Sequence, residues 1–329
     1  MTNRARTCLL SAFGLSLLSI CLLAIQEPRV SIEPRVKKSE TRKREEARLP
    51  ILRVESSLVA VYVTVTDPLG RFVTGLEKKN FRVFEDKTEQ EIAFFSSEDI
   101  PITAGLVFDV SGSMSSKLQK SREAVGQFLK TANPEDEFFL VQFGDNAEVA
   151  SPLSRNPGEI QNKITFTRSK GRTALLDAIM LAINYSKRAS NPRKALLIIS
   201  DGGDNNSRYT EGEVRSVVRE ADVQIYAVGI YEPLSERERT PEEIHGPGLL
   251  ADIAEWTGGR QFSVENLNDL PDIAAKVSLE LRNQYTLFYK PSNQAKDGKY
   301  RRIQVKLVAP RGLPSLRVYC RTGYYAPSQ

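Results

Sequence analysis

The chain has 329 residues, a net charge of +5, 40% hydrophobic and 26% charged residues, which is the make-up of a globular protein long enough for more than one folded unit. Its basic residues gather in the amino-terminal region and the tail without forming a stripe interleaved with aromatic residues, which argues against nucleic-acid binding. A single histidine, His245, excludes a multi-histidine zinc site, and no G-x-S-x-G or G-x-x-x-x-G-K-[ST] sequence supplies a nucleophile elbow or a phosphate-cradling loop.

At the amino terminus, Arg4 and Arg6 precede an uncharged apolar run of about 18 residues, 8–25. Residues 1–25 therefore read as a signal peptide or an amino-terminal membrane anchor. Either assignment implies export, to the periplasm, the membrane surface or the exterior. No clean small-x-small cleavage site follows, so a retained membrane tether through residues 8–25 stays open beside a cleaved leader. Cys8 and Cys21 lie within the run, which leaves Cys320 alone in the mature chain and precludes an intramolecular disulfide framework there. Residues 26–49 are charged and carry Pro28 and Pro34, the composition of a solvated linker.

Residues 50–100 read as β structure. Val59, Val61, Val63 and Val65 alternate with Ala60, Tyr62, Thr64 and Thr66, and Asp67-Pro68-Leu69-Gly70 supplies a turn. Short strands follow around Phe81 and Ile92. The segment 283–329 repeats the pattern, with Tyr285, Leu287 and Tyr289 alternating, a turn at Asp297-Gly298, and Ile303, Val305 and Leu307 alternating again. The amino-terminal strands alone would leave a bare face and open edges, so the two flanks predict one β-sandwich built from both, with two separate β units as the simpler alternative.

Residues 101–282 alternate strands and helices in the manner of an α/β, doubly wound, mostly parallel sheet. The apolar run Leu106-Val107-Phe108 reads as its central strand, followed by a helix with Ser116 and Gln119 in capping-box spacing. Further strands are predicted over 138–143, 195–200 and 223–230, and helices over 173–185, 213–221, 249–257 and 270–281. Gly258-Gly259 closes the helix that places Trp256 on its apolar side. A charged loop, 232–248, holds His245.

Strand ends in such a sheet carry the ligand site. Here they carry oxygen donors: Asp109, Ser111 and Ser113 after the first strand, Thr173 ahead of a helix, and Asp201 before Gly202-Gly203. Two carboxylates and three hydroxyls suit a hard divalent cation, magnesium or manganese, with calcium a poorer match. The alternative for any single one of these residues is a helix cap. Asp177 and Asp204 lie nearby, the first read as a helix-surface residue and the second as part of a turn on the rim.

The set Asp109-x-Ser111-x-Ser113, Thr173 and Asp201 closely resembles the metal-ion-dependent adhesion site of von Willebrand factor type A domains, over roughly residues 101–282. The flanking β segments look like those of VWFA-related proteins first recognised in acidobacteria. The resemblance implies direct coordination by Ser111, Ser113 and Thr173, and coordination through water by Asp109 and Asp201. It further implies a non-enzymatic module in which the ion takes a Glu or Asp carboxylate from a protein partner, and in some family members the last helix shifts on binding. An envelope scaffold with a structural ion is the second reading, and a metal-assisted hydrolase the third.

Overall fold

The computed structural model describes residue 30 and residues 58–231 and 241–328. The leader 1–25, almost all of the linker and residues 232–240 lie outside the described residues, as does the side chain of His245.

Over the described residues, the chain first forms strands β1 (Val59–Thr66), β2 (Phe81–Glu85), β3 (Thr88–Gln90) and β4 (Ile92–Ser96). It continues through β5 (Ile102–Asp109), α1 (Leu118–Leu129), β6 (Glu137–Phe143), β7 (Ala147–Ser154), α2 (Pro157–Thr165), α3 (Leu175–Ser186) and β8 (Arg193–Ser200). After α4 (Glu211–Glu220), β9 (Gln224–Ile230), α5 (Pro241–Thr257), β10 (Gln261–Val264) and α6 (Leu270–Arg282), it closes with β11 (Tyr285–Tyr289), β12 (Tyr300–Leu307), β13 (Arg317–Tyr319) and β14 (Gly323–Tyr325).

The flanks form one sandwich, with sheets in the orders β13-β1-β11-β4 and β14-β12-β2-β3. Each sheet mixes strands from both ends of the chain: Val61 opposes Leu287 in the first and Val83 opposes Val305 in the second. Two separate β units are thereby ruled out. The alternating valines of β1 meet Tyr285, Leu287 and Tyr289, and across the layer Phe81, Val83, Ile303 and Val305, in a single core. Glu85 is buried within it and accepts hydrogen bonds from the hydroxyls of Tyr289 at 2.7 Å and Tyr324 at 2.9 Å.

Inserted between the flanks is a six-stranded sheet in the order β10-β9-β8-β5-β6-β7, parallel except where β7 returns antiparallel to β6. Helices cover both faces. Leu106 and Phe108 pack against α1 and α6 on one side, while Val107, Leu196 and Ile198 pack against α3, α4 and α5 on the other. Gly105 leaves room for this layer, because a Cβ there would lie 2.2 Å from the ring of Phe139 and 2.6 Å from the Leu196 side chain, and both would have to shift.

Several local readings are corrected. The capping box at Ser116 and Gln119 does not form. A 3-10 turn at Gly112–Met114 tightens the loop instead, and α1 begins at Leu118 with no side-chain cap. The helix α5 starts at Pro241, inside the segment read as a loop. Trp256 does lie on the apolar side of its helix, half-buried and packed against the core, with the Arg219 guanidinium 4.1 Å from its ring centroid. Finally, α6 runs almost directly into β11 and is fixed at its end: Arg282 pairs with the buried Asp136 at 2.6 Å, and Glu280 with Arg260 at 3.0 Å.

Candidate metal centre

Strand order determines where the site lies. From β5 the chain moves to β6 on one side and later returns to β8 on the other, so the carboxyl ends of β5 and β8 flank the topological switch point. Phe108 registers against Ile199, which brings the next residues, Asp109 and Ser200, side by side. The Ser200 hydroxyl donates to Asp109 Oδ2 at 2.6 Å, and the Ser111 backbone N–H donates to Oδ1 at 2.8 Å. Asp109 is 0% exposed and Asp201 8%. Burial raises the Asp109 carboxyl, and the negative charge of Asp201 raises it further, to about 7, against the opposing hydrogen bonds from Ser111 and Ser200.

Ser111 and Ser113 follow at alternate positions, their hydroxyl oxygens 3.0 Å apart. Ser111 stands at the N-cap of the 3-10 turn but its side chain makes no cap hydrogen bond, and α1 takes none either. The helix-cap alternative therefore fails for these two hydroxyls. Met114, fully buried, anchors the turn beneath them.

Thr173 is 5% exposed and is held in place through its backbone. Its N–H donates to Asn205 Oδ1 at 3.0 Å, and its carbonyl accepts from the N–H groups of Asn205 and Asn206. The loop ahead of Thr173 is tied to the first loop by Gly112 N–H to the Gly171 carbonyl at 3.0 Å and by Lys170 N–H to the Val110 carbonyl at 2.8 Å. Gly171 adopts φ +80°, and a Cβ there would lie 2.4 Å from the Asp145 carboxylate that accepts the Arg172 N–H. The three loops carrying the five sequence-predicted residues are thus laced together.

Asp177 is not a helix-surface residue. It is buried at the first turn of α3 and accepts the backbone N–H groups of Arg208 at 2.8 Å and Tyr209 at 3.2 Å. Asp204 in turn accepts the Leu176 N–H, so the loop after β8 supplies the cap that α3 lacks within its own sequence. Sequence reasoning passed over Ser200, Asn205 and Lys117. Lys117 is 6% exposed, with its Nζ 3.3 Å from Asp201 Oδ2. A buried lysine directly after a pair of serines carries no periodic signal, whereas Ser200 lay in plain view beside Asp201.

Among the described residues no three His, Cys, Asp or Glu side chains cluster as a metal site. The donor set here is instead two carboxylates with hydroxyls, which matches a hard cation and not zinc held by nitrogen and sulfur.

A protein-family model agrees with the fold of the α/β unit. Residues 106–203 match the model of the von Willebrand factor type A domain, an interval containing all five candidate positions. The chain is 28% identical over 144 residues to inter alpha-trypsin inhibitor heavy chain 4 of Mus musculus, covering 38% of this chain and 15% of that one. It is 21% identical over 213 residues to an uncharacterized protein of Borreliella burgdorferi, covering 54% of this chain and 61% of that one. Among solved structures, a von Willebrand factor type A protein from Catenulispora acidiphila aligns with a TM-score of 0.49 at 12% identity, over 82% of this chain and 75% of that one. The chain thus spans only part of the curated relatives it matches. The α/β unit held between the two halves of its sandwich carries, over residues 106–203, a match to the von Willebrand factor type A domain.

Proposed function

We propose that the chain is an exported, non-enzymatic protein-binding module in which Asp109, Ser111, Ser113, Thr173 and Asp201 hold a magnesium or manganese ion that captures a Glu or Asp carboxylate of a partner protein. The observation that carries this reading is the pairing of two buried, like-charged carboxylates with two hydroxyls 3.0 Å apart at the switch point of a parallel sheet. Burying such charges is costly unless something positive compensates them. The donor set fits a hard cation, since the Ser111 and Ser113 hydroxyls are not engaged as caps. When bound, the ion supplies an electrophilic centre that accepts a carboxylate oxygen.

The chain's own residues do the positioning. Ser200 and the Ser111 N–H hold both Asp109 oxygens. Asn205 fixes the backbone of Thr173 from the loop that also carries Asp201. In the proposed division of labour, residues 1–25 direct export or tether the chain to a membrane, and 26–49 space it from that surface. Residues 101–282 bind the partner, and 50–100 together with 283–329 carry the binding domain.

Selection from a displayed random-peptide library in magnesium, with elution by EDTA, tests the proposal. Peptides enriched in Glu or Asp, released by EDTA and not selected by Thr173→Ala, are the expected outcome. Selected peptides that resist EDTA, or that show no acidic enrichment, would contradict it.

A further inference from the structure

We infer that Lys117 is a built-in counter-cation of the ion site, its ammonium group holding Asp201 and competing with the divalent ion for that carboxylate. The inference rests on the ion-binding reading above. Lysine is almost never fully buried unless paired. Here both partners are enclosed, and Nζ stands 3.3 Å from Asp201 Oδ2.

The placement of Lys117 makes little sense for helix α1 itself. A cation at a helix amino terminus opposes the helix dipole, and the first turn of α1 contains no acidic residue to offset it. The backbone nevertheless fixes the residue there. The Lys117 N–H donates to the Met114 carbonyl at 3.0 Å, and the Lys117 carbonyl accepts both the N–H and the hydroxyl of Ser121, each at 3.0 Å. The side chain is therefore aimed from a fixed backbone toward Asp201, and its unfavourable position on α1 is offset by that contact.

Two consequences follow for the ion. One of the two acidic residues, Asp201, is already in contact with a positive charge of the chain itself. An entering divalent cation is opposed by a fixed positive charge that bulk salt screens only weakly, because the pair is buried.

The test is a titration of the full chain with Mn2+, following free ion by electron paramagnetic resonance. Lys117→Met should bind Mn2+ about tenfold more tightly than the parent, or tighter still, while Lys117→Arg, which keeps the charge, stays within a few-fold of it. Lys117→Gln gives the same direction as the methionine variant if that one fails to fold. A folded Lys117→Met protein that binds Mn2+ no more tightly than a binding-competent parent overturns the role of Lys117 and leaves the ion site standing. Tight binding by Lys117→Met where the parent binds none supports it most strongly, and absence of binding in every variant overturns this inference together with the ion-binding reading.

Discussion

In ion-free buffer, Asp109→Asn should stabilise the protein at neutral and alkaline pH. The Asp109 carboxyl lies at about 7 in the folded chain against an ordinary 3.8, chiefly through burial and then through Asp201. Between those values the folded state binds more protons than the unfolded state. The contribution of this group is thus fully favourable below about pH 4 and is lost as pH rises through about 7. At pH 8 the ionised form carries a penalty of about 4 kcal/mol. Asparagine keeps the shape and removes the charge, but weakens the hydrogen bonds from Ser111 and Ser200, by about 1 kcal/mol each. A net gain of about 2 kcal/mol remains at pH 8 and is gone by about pH 5, so that at pH 4.5, where the aspartic acid is itself neutral, the variant is no more stable than the parent. Urea unfolding followed by the fluorescence of Trp256, the single tryptophan, on α5 of the α/β unit, measures both conditions. A variant no more stable than the parent at pH 8 would refute the reasoning.

Three further outcomes follow from the same geometry. Thr173→Ala should weaken Mn2+ binding severalfold yet alter ion-free stability by no more than about 1 kcal/mol, since Asn205 holds the backbone and not the hydroxyl; titration and denaturation on one preparation check both. Because an ion and a proton compete for Asp109, Mn2+ affinity should fall by about a hundredfold between pH 8 and pH 5, and a flat pH profile would remove Asp109 from the site. Arg282→Met leaves buried Asp136 without its 2.6 Å partner and should cost about 3–5 kcal/mol in thermal or chemical unfolding.

Much of this architecture could be read from the chain because burial leaves a pattern. Strands β5 and β8 are covered on both faces and appear as largely apolar runs, while β12 is covered on one face and alternates; β1 alternates in sequence, although the structure buries both of its faces from Val63 to Thr66. The candidate carboxylates Asp109 and Asp201 were visible because they end the apolar runs at the carboxyl ends of β5 and β8, and Thr173 because it stands just ahead of an apolar helix. Elements without a pattern escaped. Strands β3 and β14 have three residues each, and edge strand β7 is half-exposed along most of its length and contains Pro152. Ser116 and Gln119 have capping-box spacing, but the chain tightens into the 3-10 turn before a helix can use them. Lys117 was missed for a different reason: its contact lies 84 residues away, and nothing local marks a lysine that tertiary structure will bury.

The claim that these loops hold a divalent ion is tested most directly by thermal unfolding of the parent and Asp109→Asn with magnesium, manganese or calcium added in turn. An ion at a hundred times its dissociation constant stabilises the state that binds it by about 2.7 kcal/mol. The account predicts a rise in the parent with magnesium or manganese that disappears in Asp109→Asn. Equal responses in the two proteins, or none in the parent at saturating concentrations, would contradict it.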